Sequence, residues 1–274
     1  MASPHRLLLL LYPQYEALDL WGPLGLLLPH HDKEYVITGV VSLSPEPLST
    51  VESNAGSIPL FAGKPEAIGD FLTRASSSKT SLFDTLIVPG GTANRPLLND
   101  EKMLAALGSL IDLSPRVFTI CTGSVLVAAT GRLDGIKATT NKKAYHVATP
   151  DCAFIRRELE ARTTCSLNLT LVRMTTDPKV EWQPRARWVL DNRFLTSSGV
   201  TAGMDAALRF MELTWVANGS KDQAPMWRAH QNGIPWPVSS DFDPAAAEKA
   251  AKQTADGLEY RWHRDPADDP FAAE

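Results

Sequence analysis

The chain has 274 residues, 44% hydrophobic and 21% charged, with a formal net charge of −4. That length supports one large α/β domain or two small ones, and the composition is that of a globular protein with a sizeable core. The acidic balance, with no block of lysine and arginine interleaved with aromatics, argues against nucleic acid or an anionic membrane as partner.

The N-terminus, MASPHR followed by LLLLLY, imitates a secretory leader. Its apolar run, Leu7 to Tyr12, is short for one and is followed by Pro13, Gln14 and Glu16 rather than a small-residue cleavage site. A buried parallel strand over Arg6–Tyr12 fits better. No stretch approaches the roughly 18 apolar residues of a membrane-spanning helix. The three cysteines, Cys121, Cys152 and Cys165, fall at no metal-ligand spacing and fit a reducing, cytoplasmic compartment.

Further along, Ala17–Leu28 reads as a helix interrupted early by Gly22 and Pro23, and Glu34–Leu43 as the next strand. Ser44–Phe61, rich in Gly, Pro and Ser, is a hairpin candidate. Leu82–Val88 is a strand ending at Pro89-Gly90-Gly91. Met103–Leu113 is an amphipathic helix, and Arg116–Ile120 a strand feeding Cys121. Ser124–Thr130 is helical, with Gly131 placed to end it. Residues 142 to 185 hold a basic helical pattern, Phe154–Arg162, and a polar β-prone run, SLNLTLVRM. ARWVLDNRFLTSSG reads as two short strands turning at Asp191-Asn192. The segment from Gly199 to Gly203 opens a helix to about Val216, capped by Ser198 or Thr201. Ala245–Asp256 is one more helix, and DPADDPFAAE reads as a tail.

Strands alternating with helices imply a mainly parallel sheet covered on both faces, with its site beyond the carboxyl ends of the strands. The expected division is an α/β domain over 1–217, with an insertion at about 142–185. An extension, 218–274, would pack on the same domain or on a partner subunit.

Cys121 falls where a strand meets a helix. A helix N-terminus stabilises thiolate, so a thiol there is expected to titrate below its usual value of about 8.5. Thr122 and Gly123 allow a sharp turn whose amides could polarise a developing negative charge, and Gly90-Gly91 could bring a second set. The alternative is a small buried hydrophobe, as free cysteines often are.

The segments IVPGG, ICTGSVLVAATGRLDGIKATTN and LTSSGVTAGMDAAL, in that order, resemble the DJ-1/PfpI superfamily. They are similar in particular to its isonitrile hydratase-like branch, within the class I glutamine amidotransferase-like group. The resemblance spans about Arg6 to Val216. It implies a flavodoxin-like three-layer α/β sandwich, a nucleophile-elbow cysteine and a homodimer, with no metal and no organic cofactor. The reactive cysteine falls on Cys121, and the carboxyl that bonds it on Asp19 in YEALDLWGP. The glycine-turn amides fall on Gly90 and Gly91, the residue after the nucleophile on Thr122, and the second glycine segment on Ser198, Gly199 and Val200. Read from the residues alone, Asp19 is either a carboxylate in need of a buried partner or a helix cap. Trp21, two residues on, is a candidate pocket wall.

One position departs from many relatives. Where they carry a histidine after the ATT that follows the nucleophile helix, this chain has Asn141. Asparagine donates and accepts hydrogen bonds but is no general base near neutral pH. His146, His230 and His263 are the remaining candidates to reach the site. A cysteine with a carboxyl and no histidine suits addition to a small unsaturated carbon, as in hydration of an isonitrile to an N-substituted formamide through a thioimidate. Another reaction on the same scaffold, a glyoxalase-type or secondary-metabolism tailoring step, is an alternative. So is a redox or ligand sensor that does not turn over.

Overall fold

In the computed structural model, the described residues are 4–28, 35–44, 52–53, 56–57, 65–91, 94–142, 179–214 and 244–270. The leucine run forms β1 (His5–Leu11), buried from Leu7 onward. Such a run has no polar face to offer water, so it takes a central position. It pairs in parallel with β2 (Tyr35–Ser42) on one side and β6 (Thr85–Val88) on the other. Short pairs β3 (Glu52–Ser53) with β4 (Gly56–Ser57), and β8 (Lys137–Ala138) with β9 (Glu181–Trp182), lie outside the main sheet. The main sheet has seven strands in the order β10-β11-β7-β6-β1-β2-β5, adding β5 (Glu66–Ala67), β7 (Arg116–Thr119), β10 (Trp188–Asp191) and β11 (Phe194–Ser197). All its pairings are parallel except β10 with β11. That hairpin turns at Asn192, whose φ of 51° suits asparagine in the left-handed region. This is the flavodoxin-like α/β arrangement that the sequence implied.

The helices are α1 (Ala17–Leu27), α2 (Ile68–Ser77), α3 (Asn94–Leu97), α4 (Glu101–Leu113), α5 (Gly123–Ala128), α6 (Val200–Thr214) and α7 (Pro244–Gly257). Contrary to the expected early interruption, α1 runs through Pro23. Proline there removes the hydrogen bond to the Asp19 carbonyl. The helix continues because Leu20, Leu24 and Leu27 are buried and α1 packs along α6, where Gly22 faces Met204. In α7, Ala247, Ala250, Ala251, Thr254 and Ala255 make a buried stripe of helical period, and it lies against α6. No helix among the described residues is long and apolar enough to cross a membrane.

Much of the insertion lies outside the described residues, including Phe154–Arg162, SLNLTLVRM, Cys152, Cys165 and His146. His230 lies outside them too. Of the Ser44–Phe61 hairpin only the antiparallel pair β3–β4 is described.

Candidate active site

Cys121 stands between β7 and α5 with φ at 57°. A non-glycine residue held there costs of order 1–3 kcal/mol and persists only where its surroundings fix it. Here they do. The Cys121 amide donates to Ser197 O at 3.1 Å, and its carbonyl accepts from Ser124 Oγ at 3.1 Å and Thr140 Oγ1 at 3.0 Å. Gly123 follows because a Cβ at that position would collide with the carbonyls of Val88 and Pro89. The elbow therefore presses against the carboxyl end of β6.

Asp19 comes from the first turn of α1 and is fully buried. It does not cap the helix; the Glu16 carboxylate does, accepting from the Leu18 amide at 3.3 Å. Asp19 Oδ2 accepts from the Gly90 amide at 2.8 Å, and the carboxyl lies close enough to the Cys121 thiol for each to shift the other's titration. Any side chain at Gly90 would stand 2.8 Å from Asp19 Oδ2 and 2.7 Å from the Thr122 amide nitrogen. Glycine is needed there for close approach.

Burial raises the Asp19 carboxyl to about 7, the neighbouring Glu16 charge adding to it, while the Gly90 amide and the Cys121 thiol pull the other way. The thiol is pushed up to about 12, by burial first and then by the Asp19 and Glu16 charges. The Thr122 amide and the Asn141 side chain oppose this by favouring the charged sulfur. The expected lowering at the helix N-terminus is thus reversed. Helix α5 is short, and its field is outweighed by loss of water and by a carboxylate beside the sulfur. The two groups are coupled, and near neutral pH they hold one proton readily and a second only in part.

The glycine turn packs against Asp19 and against Thr122 of the elbow. Its amides are already committed, Gly90 to Asp19 and Gly91 to Thr122 Oγ1 at 3.1 Å. They tie the parts of the site together, and the Thr122 amide beside the sulfur favours its charged form.

These parts, elbow cysteine, buried carboxyl and glycine turn, sit in a chain whose residues 5–213 match the DJ-1/PfpI family model. The chain belongs to the DJ-1/PfpI family. It is 29% identical over 258 residues to the isonitrile hydratase of Pseudomonas putida, covering 92% of this chain and 91% of that one. Among solved structures it is similar in fold to a ThiJ/PfpI family protein from Pseudomonas syringae, with TM-score 0.55 and 21% identity over 99% of this chain and 79% of that one. Drosophila melanogaster DJ-1beta gives TM-score 0.57 at 14% identity, over 96% of this chain and all of that one.

In this DJ-1/PfpI protein the position of Asn141 is filled by a side-chain amide close enough to the Cys121 thiol to favour its charged form. Gly199 lies beside it, a Cβ there falling 3.6 Å from Asn141 Nδ2. Ser198, whose amide donates to Arg187 O at 2.7 Å, and Val200, the first residue of α6, flank that glycine. The second glycine segment therefore forms the Asn141 side of the site. Trp21 does not share the Asp19 side. Two positions along a helix is a rotation of about 200°, and Trp21 is 36% exposed where Asp19 is buried. His263 is held on the C-terminal segment, its Nδ1 2.8 Å from Asp268 Oδ2, and is not among the groups that shift the thiol. Among the described residues no cluster of His, Cys, Asp and Glu is arranged to hold a metal.

Sequence reasoning passed over Glu16, Ser124, Thr140 and Ser197. Ser124, three residues into the turn that follows Cys121, was detectable from spacing. Thr140 and Ser197 act only because β11 and the 139–142 segment meet the elbow in three dimensions.

Proposed function

We propose that this protein is a cysteine-dependent enzyme that hydrates a small organic isonitrile to an N-substituted formamide. The observation that carries the reading is the buried pair Asp19 and Cys121, whose carboxyl titrates at about 7. Such a group can take and return a proton at neutral pH. Likeness to an isonitrile hydratase over nearly the whole chain supports the same chemistry.

In this reaction the Asp19 carboxylate takes the thiol proton as sulfur attacks the terminal isonitrile carbon. A C–S bond forms, the carbon–nitrogen triple bond becomes a double bond, and Asp19 returns the proton to carbon. The product is a thioimidate on Cys121. Water adds to that carbon with a proton passing to nitrogen; the C–S bond then breaks, the thiol recovers its proton, and formamide leaves. Asn141 and the Thr122 amide steady the charge on sulfur in both directions. Because the thiol is pushed up to about 12, it carries little standing thiolate, which disfavours a peroxide sensor. We also place the enzyme in a reducing cytoplasm and as a homodimer, whose contact would include the exposed Leu18 and Trp21 on α1. Sizing in solution at twice the chain's mass is the corresponding expectation.

The test is intact-protein mass spectrometry after mixing with an alkyl or aryl isonitrile, for wild type and Cys121→Ala, with formamide assayed alongside. Formamide with a wild-type adduct is expected. An adduct without formamide retains the nucleophile but removes the hydratase. Neither in either protein overturns the proposal.

A further inference from the structure

Behind Asn141 lies a buried ion network that the reaction above leaves unused. Lys142 Nζ donates to Thr139 Oγ1 at 2.8 Å and to Ala186 O at 2.5 Å, and faces Asp269 Oδ2 at 3.5 Å. Asp269 belongs to the segment after α7, and its side chain is fully buried. Its Oδ1 stands 3.8 Å from Arg187 Nη1. Arg187 in turn grips Asp205 Oδ2 through Nη2 at 2.6 Å and Nε at 2.9 Å. The Arg187 amide donates to Pro266 O at 2.7 Å, and its carbonyl accepts from the Ser198 amide at the same distance. The Tyr260 hydroxyl and the His263 amide each lie 2.9 Å from Asp205 Oδ1.

Residues 139–142 are thereby held at both ends. Thr140 bonds the Cys121 carbonyl, the Asn141 amide between them favours the charged thiol, and Lys142 is locked to Thr139, Ala186 and Asp269. Burying Lys142, Arg187, Asp205 and Asp269 together adds little net stability compared with apolar contacts, since desolvation offsets the attraction. What such a network does provide is one fixed geometry.

We propose that Lys142 and Asp269 are positioning residues for Cys121. Docking of the 258–270 segment through Asp269 fixes Lys142, and with it the Asn141 side chain on the thiol. The proposal rests on Cys121 as nucleophile but not on the identity of the substrate. Other charges bear on the arrangement from each side: Asp19 and Glu16 on the thiol, Arg187 on Asp269 and Lys142, and Asp205 on Arg187.

The test uses the full chain and iodoacetamide, with Cys121 alkylation followed against pH by peptide mass spectrometry. Loss of the Asn141 amide beside the sulfur moves the profile to higher pH and slows alkylation at pH 8 by roughly threefold to tenfold. Asn141→Ala, Lys142→Met and the isosteric Asp269→Asn are each expected to do this, and Lys142→Arg to recover most of the rate. The double variant Asn141→Ala/Lys142→Met should be no slower than Asn141→Ala alone. A wild-type profile in both Lys142→Met and Asp269→Asn overturns the proposal, as does full multiplication of effects in the double variant. If Lys142→Met melts too low to assay, Asp269→Asn, alone and combined with Asn141→Ala, carries the same comparison. Failure of the hydratase reading would show separately, as absence of formamide from a wild type whose thiol still alkylates normally.

Discussion

The Gly90 amide donates to Asp19 Oδ2 across 71 positions of sequence, at 2.8 Å. This bond ties the end of β6 to the first turn of α1 and sets the carboxyl against the Cys121 thiol. Its geometry leaves no room for a side chain at Gly90, where a Cβ would stand 2.7 Å from the Thr122 amide nitrogen. Gly90→Ala is therefore expected to separate Asp19 from the elbow. Turnover should fall by about 100-fold or more, loss of a positioned proton carrier being worth about that much. The fold should survive with a destabilisation of about 1–3 kcal/mol, as overpacking typically costs. Steady-state rates and a thermal melt check both.

Asp19→Asn separates activity from stability. The folded carboxyl titrates at about 7, raised from 3.8. The native state thus binds this proton more tightly than the unfolded chain, and the contribution of Asp19 to stability falls as pH rises from about 4 to 7. Asparagine keeps an acceptor for the Gly90 amide but has no charge to bury. The variant should be more stable than wild type above pH 7, by up to about 4 kcal/mol at some 1.4 kcal/mol per pKa unit, and should melt at a higher temperature. The gain should disappear below pH 4, while turnover drops at every pH. A melt that is lower than wild type at pH 8 would contradict the raised carboxyl.

The features that sequence made legible are those written locally. The leucine run, the turn at Asn192, the strand-to-helix junction at Cys121 and the alanine stripe of α7 each follow from neighbours within a few residues. Helix α2 went unseen because IGDFLTRASS carries Gly69, Thr73 and a run of serines, poor helix formers that packing against α4 overrides. The direction of the thiol shift was missed for a related reason. A helix N-terminus can be read from spacing, but the burial and the Asp19 charge that outweigh it belong to the assembled site. The Gly90 and Gly91 amides were legible as donors, though not that Asp19 and the Thr122 hydroxyl would consume them.

The left-handed backbone at Cys121 makes its own prediction. With φ at 57°, any residue with a Cβ pays the same steric cost, whereas glycine does not. Cys121→Gly and Cys121→Ala both remove the thiol, so their difference reports backbone strain. Glycine also loses more entropy on folding, which offsets part of the relief. Cys121→Gly should still be the more stable by about 1 kcal/mol in chemical denaturation. Equal midpoints and slopes would mean that the elbow stores no such strain.

Asp205 is one of the buried carboxylates that hold the C-terminal segment. Asp205 accepts from Arg187 Nε and Nη2 on one oxygen, and the Tyr260 hydroxyl and His263 amide meet the other. Arg187 is 18 positions away in sequence and Tyr260 is 55, so the joint forms only when β10, α6 and the tail come together. Asp205→Ala leaves the Arg187 guanidinium buried without its main partner, a loss of about 3–5 kcal/mol for an interior pair broken on one side. Arg187→Met/Asp205→Leu removes both charges, and should cost less than Asp205→Ala alone. The Arg261 and Arg264 side chains are already exposed, and release of the tail would free the backbone around them to enter trypsin. Cleavage there should be markedly faster in Asp205→Ala than in wild type at a temperature where α6 remains folded by circular dichroism. Equal cleavage rates would show that α7 and its alanine stripe hold the segment without Asp205.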